Sequence, residues 1–168
     1  RALVELVKLQ QASLDDLLLI GMDCAGTLEV PEYQEQRANG GAALWRELFQ
    51  TASNSPEGAN HTLRLACQMC EQPVYEEADI RVELLGVDLD QAIHLSLGDD
   101  LGEQLGFEPT DPGERAKVIQ QLVAARTQVR DDEFASIRQR LEGDGGLIGV
   151  FDDCIRCHNC MNVCPLCY

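Results

Sequence analysis

The last fifteen residues of this chain hold five of its eight cysteines, and their spacing constrains the fold more than any other feature. The run reads Cys154-Ile-Arg-Cys157-His-Asn-Cys160-Met-Asn-Val-Cys164-Pro165, with Cys167 just beyond. As spacing it is C-x2-C-x2-C-x3-C-P, the run that binds a 4Fe-4S cluster in bacterial ferredoxins. The reason is geometric. A cubane presents four iron corners a few ångström apart. A tight loop with a cysteine at every third position can aim three sulfurs at three of them, and the proline after the fourth cysteine redirects the chain. Cys167 reads as a further ligand, a spare thiol, or the start of another pair. A structural zinc site, Cys3His with His158, is the competing reading. Zinc sites usually draw on two separated C-x2-C pairs, so the triplet spacing favours iron and sulfide, and His158 reads as an exposed loop residue.

The remaining cysteines are Cys24, Cys67 and Cys70. Cys67-Gln-Met-Cys70 is a C-x2-C pair, which by itself fits metal binding, a redox disulfide or chance. A thioredoxin-like site needs the pair to open a helix after a strand; here it follows an expected helix at residues 62–66 and precedes Pro73. Cys24 comes directly after an expected strand, where α/β proteins place functional residues. Cysteines three apart make poor structural disulfides, and over a hundred residues of ordinary sequence need no staples. Reduced thiols in a cytoplasmic protein are the better reading.

Composition narrows the partners. Twenty-nine acidic against thirteen basic residues give a formal charge of −16. That balance argues against nucleic acid or an anionic membrane surface, and favours a basic protein partner or a cationic cofactor. With 45% apolar residues the chain is no disordered acidic tail. Its 168 residues suit one domain, or one domain plus a small appendage, burying roughly 70% of the unfolded surface. The longest apolar run, residues 17–22, is too short to span a bilayer. The chain begins at Arg1 and ends inside an incomplete cysteine motif. It is therefore expected to be a fragment of a longer polypeptide.

The expected organisation is α/β: a mixed sheet with flanking helices over residues 1–145, then a ferredoxin-like 4Fe-4S segment over residues 146–168. Residues 2–11 pattern as an amphipathic helix. Residues 17–22 read as a strand covered on both faces, and 23–27 as the loop at its carboxyl end. Residues 42–49 read as a helix after the Asn39-Gly40-Gly41 turn, 52–60 as a loop, and 80–85 and 92–97 as paired strands. Asp111-Pro112-Gly113-Glu114 reads as a helix start, with Asp111 capping and Glu114 closing a capping box. An apolar stripe follows through Val118, Leu122, Ala125, Val129, Phe134, Ile137 and Leu141, interrupted after Val129. It implies one kinked helix or two short ones, ending at Gly143-Asp-Gly-Gly146. The acidic pairs read as solvated loops and helix ends, except Asp152-Asp153, whose charge beside the cysteine run would lower a cluster's potential. His61 and His94 are isolated, in an expected loop and strand, and no acid–base catalytic set stands out.

Two elements together resemble a known family. Ile20-Gly-Met-Asp-Cys24-Ala-Gly-Thr27 resembles the strand followed by Gly-x-x-Cys of the beta subunits of coenzyme F-420-dependent hydrogenases and formate dehydrogenases. Ala66-Cys67-Gln-Met-Cys70-Glu-Gln-Pro73, continuing through Glu77-Ala-Asp-Ile80, resembles that family's C-x2-C and Ala-Asp-Ile strand entry. The resemblance spans nearly the whole chain in order. It implies an iron-sulfur flavoprotein subunit of an oxidoreductase. Such a subunit relays electrons between a hydride carrier (a deazaflavin, a nicotinamide or ferredoxin) and a catalytic dehydrogenase or hydrogenase partner. FAD belongs to the family, although the sequence carries no flavin fingerprint. By position, Cys24, Cys67 and Cys70 would be three ligands of one cluster, with a fourth from Cys164, Cys167 or a part of the polypeptide beyond this chain. Cys154, Cys157, Cys160 and Cys164 would hold a ferredoxin-type cluster. A zinc-stabilised interaction module and a thiol oxidoreductase using Cys67 and Cys70 are the alternatives.

Overall fold

A computed structural model describes residues 2–15, 17–38, 41, 43–54, 63–106, 111, 113–143 and 145–162. The expectations for Cys164, Cys167, His61, Pro112, the Asn39-Gly40 step and residues 55–60 of the loop expected at 52–60 lie outside them, while residues 52–54 of that loop are helical, continuing the helix expected at 42–49. The elements in chain order are α1 (Ala2–Lys8), β1 (Ile20–Met22), α2 (Val30–Ala38), α3 (Leu44–Asn54), α4 (Leu65–Gln68), β2 (Ile80–Glu83), β3 (His94–Leu97), α5 (Asp99–Leu105), α6 (Arg115–Gly143), α7 (Gly146–Val150) and α8 (Asn159–Asn162).

The chain divides into two compact units. Residues 18–135 form one, and residues 1–17 with 136–168 form the other.

The sheet of the first unit has the order β1-β2-β3. β1 runs parallel to β2, with Ile20 opposite Ile80 and Met22 opposite Val82. β3 returns antiparallel, with His94 opposite Glu83 and Leu97 opposite Ile80. The expected mixed sheet with flanking helices is therefore present, as is the expected pairing of the strands near residues 80 and 94. The expectation for β1 needs correction. Only three residues are extended, and β1 is an edge strand of this sheet. Ile20 and Met22 stand on one face and are each 63% exposed, while Gly21 between them is buried. A continuous apolar run cannot distinguish a doubly covered strand from an edge strand with one open face.

The core gathers Ala25, Ala52, Leu85 and Leu122, flanked by Leu48, Phe49 and Val74. α3 supplies its side through Leu44, Leu48 and Ala52, a spacing of four that keeps one helical face inward. Leu85 follows β2, and Leu122 lies one turn before Arg126 on α6. Burying each leucine contributes roughly 1.5–3 kcal/mol. Where β2 ends, Gly86 has a φ of +72°, and a Cβ there would lie 2.9 Å from the Arg115 Cα. Only glycine lets the start of α6 approach so closely. Its N–H donates to the Ser53 Oγ at 2.9 Å, tying the turn to α3.

α6 is a single continuous helix of 29 residues, so the interruption after Val129 breaks nothing. It starts later than the capping motif suggests. Gly113 takes a φ of +57°, outside the helical region, and the Asp111 Oδ1 accepts from the Gly113 N–H at 2.9 Å in a turn that precedes the helix. The buried positions within residues 115–135 are Arg115, Leu122 and Arg126. In the second unit Phe134's apolar successor on the expected stripe, Ile137, is exposed. Among the described residues, no helix is long and apolar enough to cross a membrane.

Candidate metal centre

The loop after β1 is held from below by Asp23, a buried carboxylate only 4% exposed. Its Oδ2 accepts the backbone N–H groups of Leu84 and Leu85 at 2.8 and 2.9 Å. Arg115, 7% exposed, grips the same carboxylate with both terminal nitrogens, at 2.6 and 3.0 Å. It also donates to the Leu85 carbonyl at 2.8 Å and pairs through Nε with Glu83 at 3.3 Å. A two-pronged guanidinium–carboxylate pair is among the stronger polar contacts a protein makes. The residue that immediately precedes Cys24 is thus fixed to β2 and to α6.

From there the chain delivers Cys24 and turns to meet the C-x2-C segment. Leu28 and Leu63 form an antiparallel bridge, and the Arg64 N–H donates to the Thr27 carbonyl at 2.9 Å. α4 starts directly after that pairing and carries Cys67, with Cys70 two residues past its end. The C-x2-C pair therefore begins within the short helix, whereas the sequence placed it after one. The Gln68 side chain donates back to the Leu63 carbonyl at 2.5 Å, and the Cys24 N–H donates to the Pro73 carbonyl at 2.7 Å. Two segments, paired from Leu28–Leu63 to Cys24–Pro73, are laced together on both sides of the thiols. The Thr27 hydroxyl and the Cys67 sulfur lie 3.4 Å apart. Gly26 sits between these strands of chain with a φ of +111°; a Cβ there would meet Leu63 Cδ1 at 3.0 Å and Cys67 Cβ at 3.3 Å.

Arg126 closes the arrangement from α6. Only 5% exposed, it donates to the Ala25 carbonyl at 2.7 Å and to the Cys70 carbonyl at 3.4 Å. Burial pulls its pKa below the ordinary arginine value, while the thiol groups of Cys70, Cys24 and Cys67 pull it back up. All three cysteines are thus electrostatic neighbours of one guanidinium. Further along the helix, Thr127 donates to Glu71 at 3.1 Å and Arg130 forms an ion pair with the same carboxylate, anchoring the residue after Cys70. Glu71 and Asp131 hold the Arg130 pKa above its ordinary value by hydrogen bonding, Asp131 contributing most.

Among the described residues, no group of three or more His, Cys, Asp or Glu side chains converges on one point as a single metal ion requires. Thiols around a polynuclear cluster bind different irons and stand further apart.

The second cysteine group lies in the other unit. Cys154, Cys157 and Cys160 are all exposed. Two residues of this loop, Arg156 with φ +54° and His158 with φ +59°, adopt the left-handed conformation. Such turns are uncommon for residues with a Cβ and coil the chain tightly around the middle cysteine. The His158 carbonyl accepts from Met161 and Asn162 at the start of α8. His158 itself is exposed in the loop, as expected. Ile155 is 85% exposed and Met161 is also open to solvent.

A cleft of about 910 Å³ runs over the sheet beside the first cysteine group. Met22 and Asp23 line it just before Cys24, and Val74 just after Pro73. Its arginines are already engaged: Arg115 by Asp23 and Glu83, and Arg81 by the Ser96 hydroxyl. Glu76, Glu83 and Glu103 share the lining. Among the described residues, neither arginine of this wall is left free for a diphosphate such as that of FAD.

No family model matches the sequence. The chain does resemble a subunit of a known oxidoreductase. It is 22% identical, over its full length, to the F420-dependent formate dehydrogenase 1 subunit beta of Methanococcus maripaludis, and covers 52% of that protein. The chain thus spans about half the length of the curated relative it matches. The likeness agrees with the resemblance carried by the cysteine motifs.

The sequence pointed to the cysteines but missed Asp23, Arg115, Arg126 and Gly26. A signal for the arginines was present. Residues 115, 122 and 126 are separated by steps of seven and four, so both arginines fall in phase with the one fully buried leucine of α6. An arginine on the core face of a helix asks for a counter-charge.

Proposed function

We propose that this chain is an electron-transfer part of an oxidoreductase, carrying a 4Fe-4S cluster on Cys24, Cys67 and Cys70. A second, ferredoxin-type cluster sits on Cys154, Cys157 and Cys160 with Cys164. The fourth ligand of the first set is a residue other than these three. The observation that supports the reading is the lacing of the two cysteine-bearing segments to each other, with one buried guanidinium bonded to a carbonyl of each. Cysteines collected by chance or for packing have no need of that charge. The bound cluster supplies one-electron storage; the residues around it orient the ligands, exclude water on the Ala25 side and set the local charge. The relative's name adds formate dehydrogenase and coenzyme F420 as the wider setting, with a catalytic dehydrogenase subunit as partner and a hydride carrier as the soluble redox partner.

The test is anaerobic purification of the chain followed by reduction. A brown protein whose broad visible absorption bleaches with dithionite, with a reduced-state EPR signal, is expected. A colourless protein with stoichiometric zinc overturns the proposal.

A further inference from the structure

Two arginines of α6 are equally buried but differently partnered. Arg115 meets two carboxylates, Asp23 and Glu83. Arg126, three turns later, meets none among the described residues; its hydrogen bonds go to the carbonyls of Ala25 and Cys70. A buried cation with only neutral partners is costly. The thiols on the two segments it bonds become anionic when they bind a metal centre, and would then supply the answering charge. The guanidinium also spans the two segments that bear them. Ala25 follows Cys24 directly, and the second carbonyl is that of Cys70 itself.

We infer that Arg126 is the positioning residue and counter-charge of the Cys24, Cys67 and Cys70 centre, holding its two ligand segments at fixed spacing and raising its reduction potential. The inference rests on the proposed cluster at these cysteines. A 4Fe-4S centre gains one negative charge on taking up an electron, and net charge near a cluster is one of the levers on its potential. A fixed positive charge favours the reduced form. Removing it favours the oxidised form.

The test uses the full chain with clusters assembled anaerobically, comparing wild type with R126Q, R126K and C24S. Iron content is measured first, then midpoint potentials by EPR-monitored titration. R126Q with full iron should show the affected centre shifted negative by about 59 mV or more, a tenfold change in its one-electron equilibrium. The ferredoxin-type centre should not move, and R126K should restore most of the shift. Full iron with an unchanged midpoint in R126Q overturns the inference. If R126Q loses iron, retention by R126K supports the counter-charge; loss in both overturns it, since geometry alone would then be at stake. C24S with wild-type iron content would mean that no cluster sits at these cysteines, which removes the proposed function as well.

Discussion

Cys24 and Cys70 are exposed and Cys67 half-buried on two segments whose carbonyls are held by the buried Arg126, whereas Cys154, Cys157 and Cys160 are exposed in a loop that follows Asp152 and Asp153. The first group is assembled by tertiary structure. Its ligand segments are joined by a β-bridge, by backbone hydrogen bonds to Thr27 and Pro73, and by three residues of α6. The second is assembled by sequence spacing and two left-handed residues. The contrast explains why one motif was specific by itself and the other was not. A loop that needs only local geometry writes its ligand set into consecutive residues. A site built from distant segments leaves just a C-x2-C and a lone cysteine, and its supporting residues are scattered over a hundred positions.

The sign of the surrounding charge also differs. With clusters bound as proposed, Arg126 would favour an added electron at the first centre, and Asp152 and Asp153 would disfavour one at the second. Two clusters of one type would then stand at different potentials, with the ferredoxin-type centre the lower.

The largest effect should come from breaking the support of the tertiary site. Asp23→Asn leaves Arg115 buried with one carboxylate partner and weakens the acceptor for two backbone N–H groups. Loss of one partner of a buried pair costs about 3–5 kcal/mol, and Glu83 keeps the expected value near the lower end. Denaturant unfolding followed through Trp45, the single tryptophan, should show the midpoint falling sharply. An unchanged midpoint would show that the loop before Cys24 does not depend on this network. A smaller loss is expected from Gly26→Ala. The residue would have to hold a φ of +111° and press on Leu63 and Cys67. Strained conformations of this kind cost on the order of 1–3 kcal/mol. The same unfolding assay should register it, together with partial loss of iron from the first centre alone. The mildest change should follow from the double variant Asp152→Asn, Asp153→Asn. Both side chains are exposed, so solvent screens them. The ferredoxin-type midpoint should rise slightly, by less than the Arg126 shift, and raised salt should shrink the difference. A change at the other centre would contradict the assignment of these charges to the loop.

How much was legible follows the same division. The strands near residues 80 and 94 were readable because their alternation and the turn between them are local. Cys24 was readable as a loop residue because it follows an apolar run directly. What the run could not reveal was that β1 is an edge with Ile20 and Met22 open, since that depends on what pairs beside it. α6 was read as an apolar stripe, yet its buried face carries Arg115 and Arg126. Apolar and charged residues are so spread around this helix that little segregation remains. Periodicity analysis counts charged residues as outward-facing, and fails where buried charges are paired. The capping motif at Asp111 was displaced for a local reason, the positive φ of Gly113.

The central claim is that the chain holds two separate thiolate centres, one on each cysteine group. Iron and acid-labile sulfide, measured anaerobically in wild type, Cys24→Ser and Cys157→Ser, test it most directly. Wild type should carry roughly four irons and four sulfides for each of two clusters. Each variant should lose one cluster's worth and keep the EPR signal of the other. Zinc in place of iron, or loss of all iron in either variant without unfolding, would contradict it.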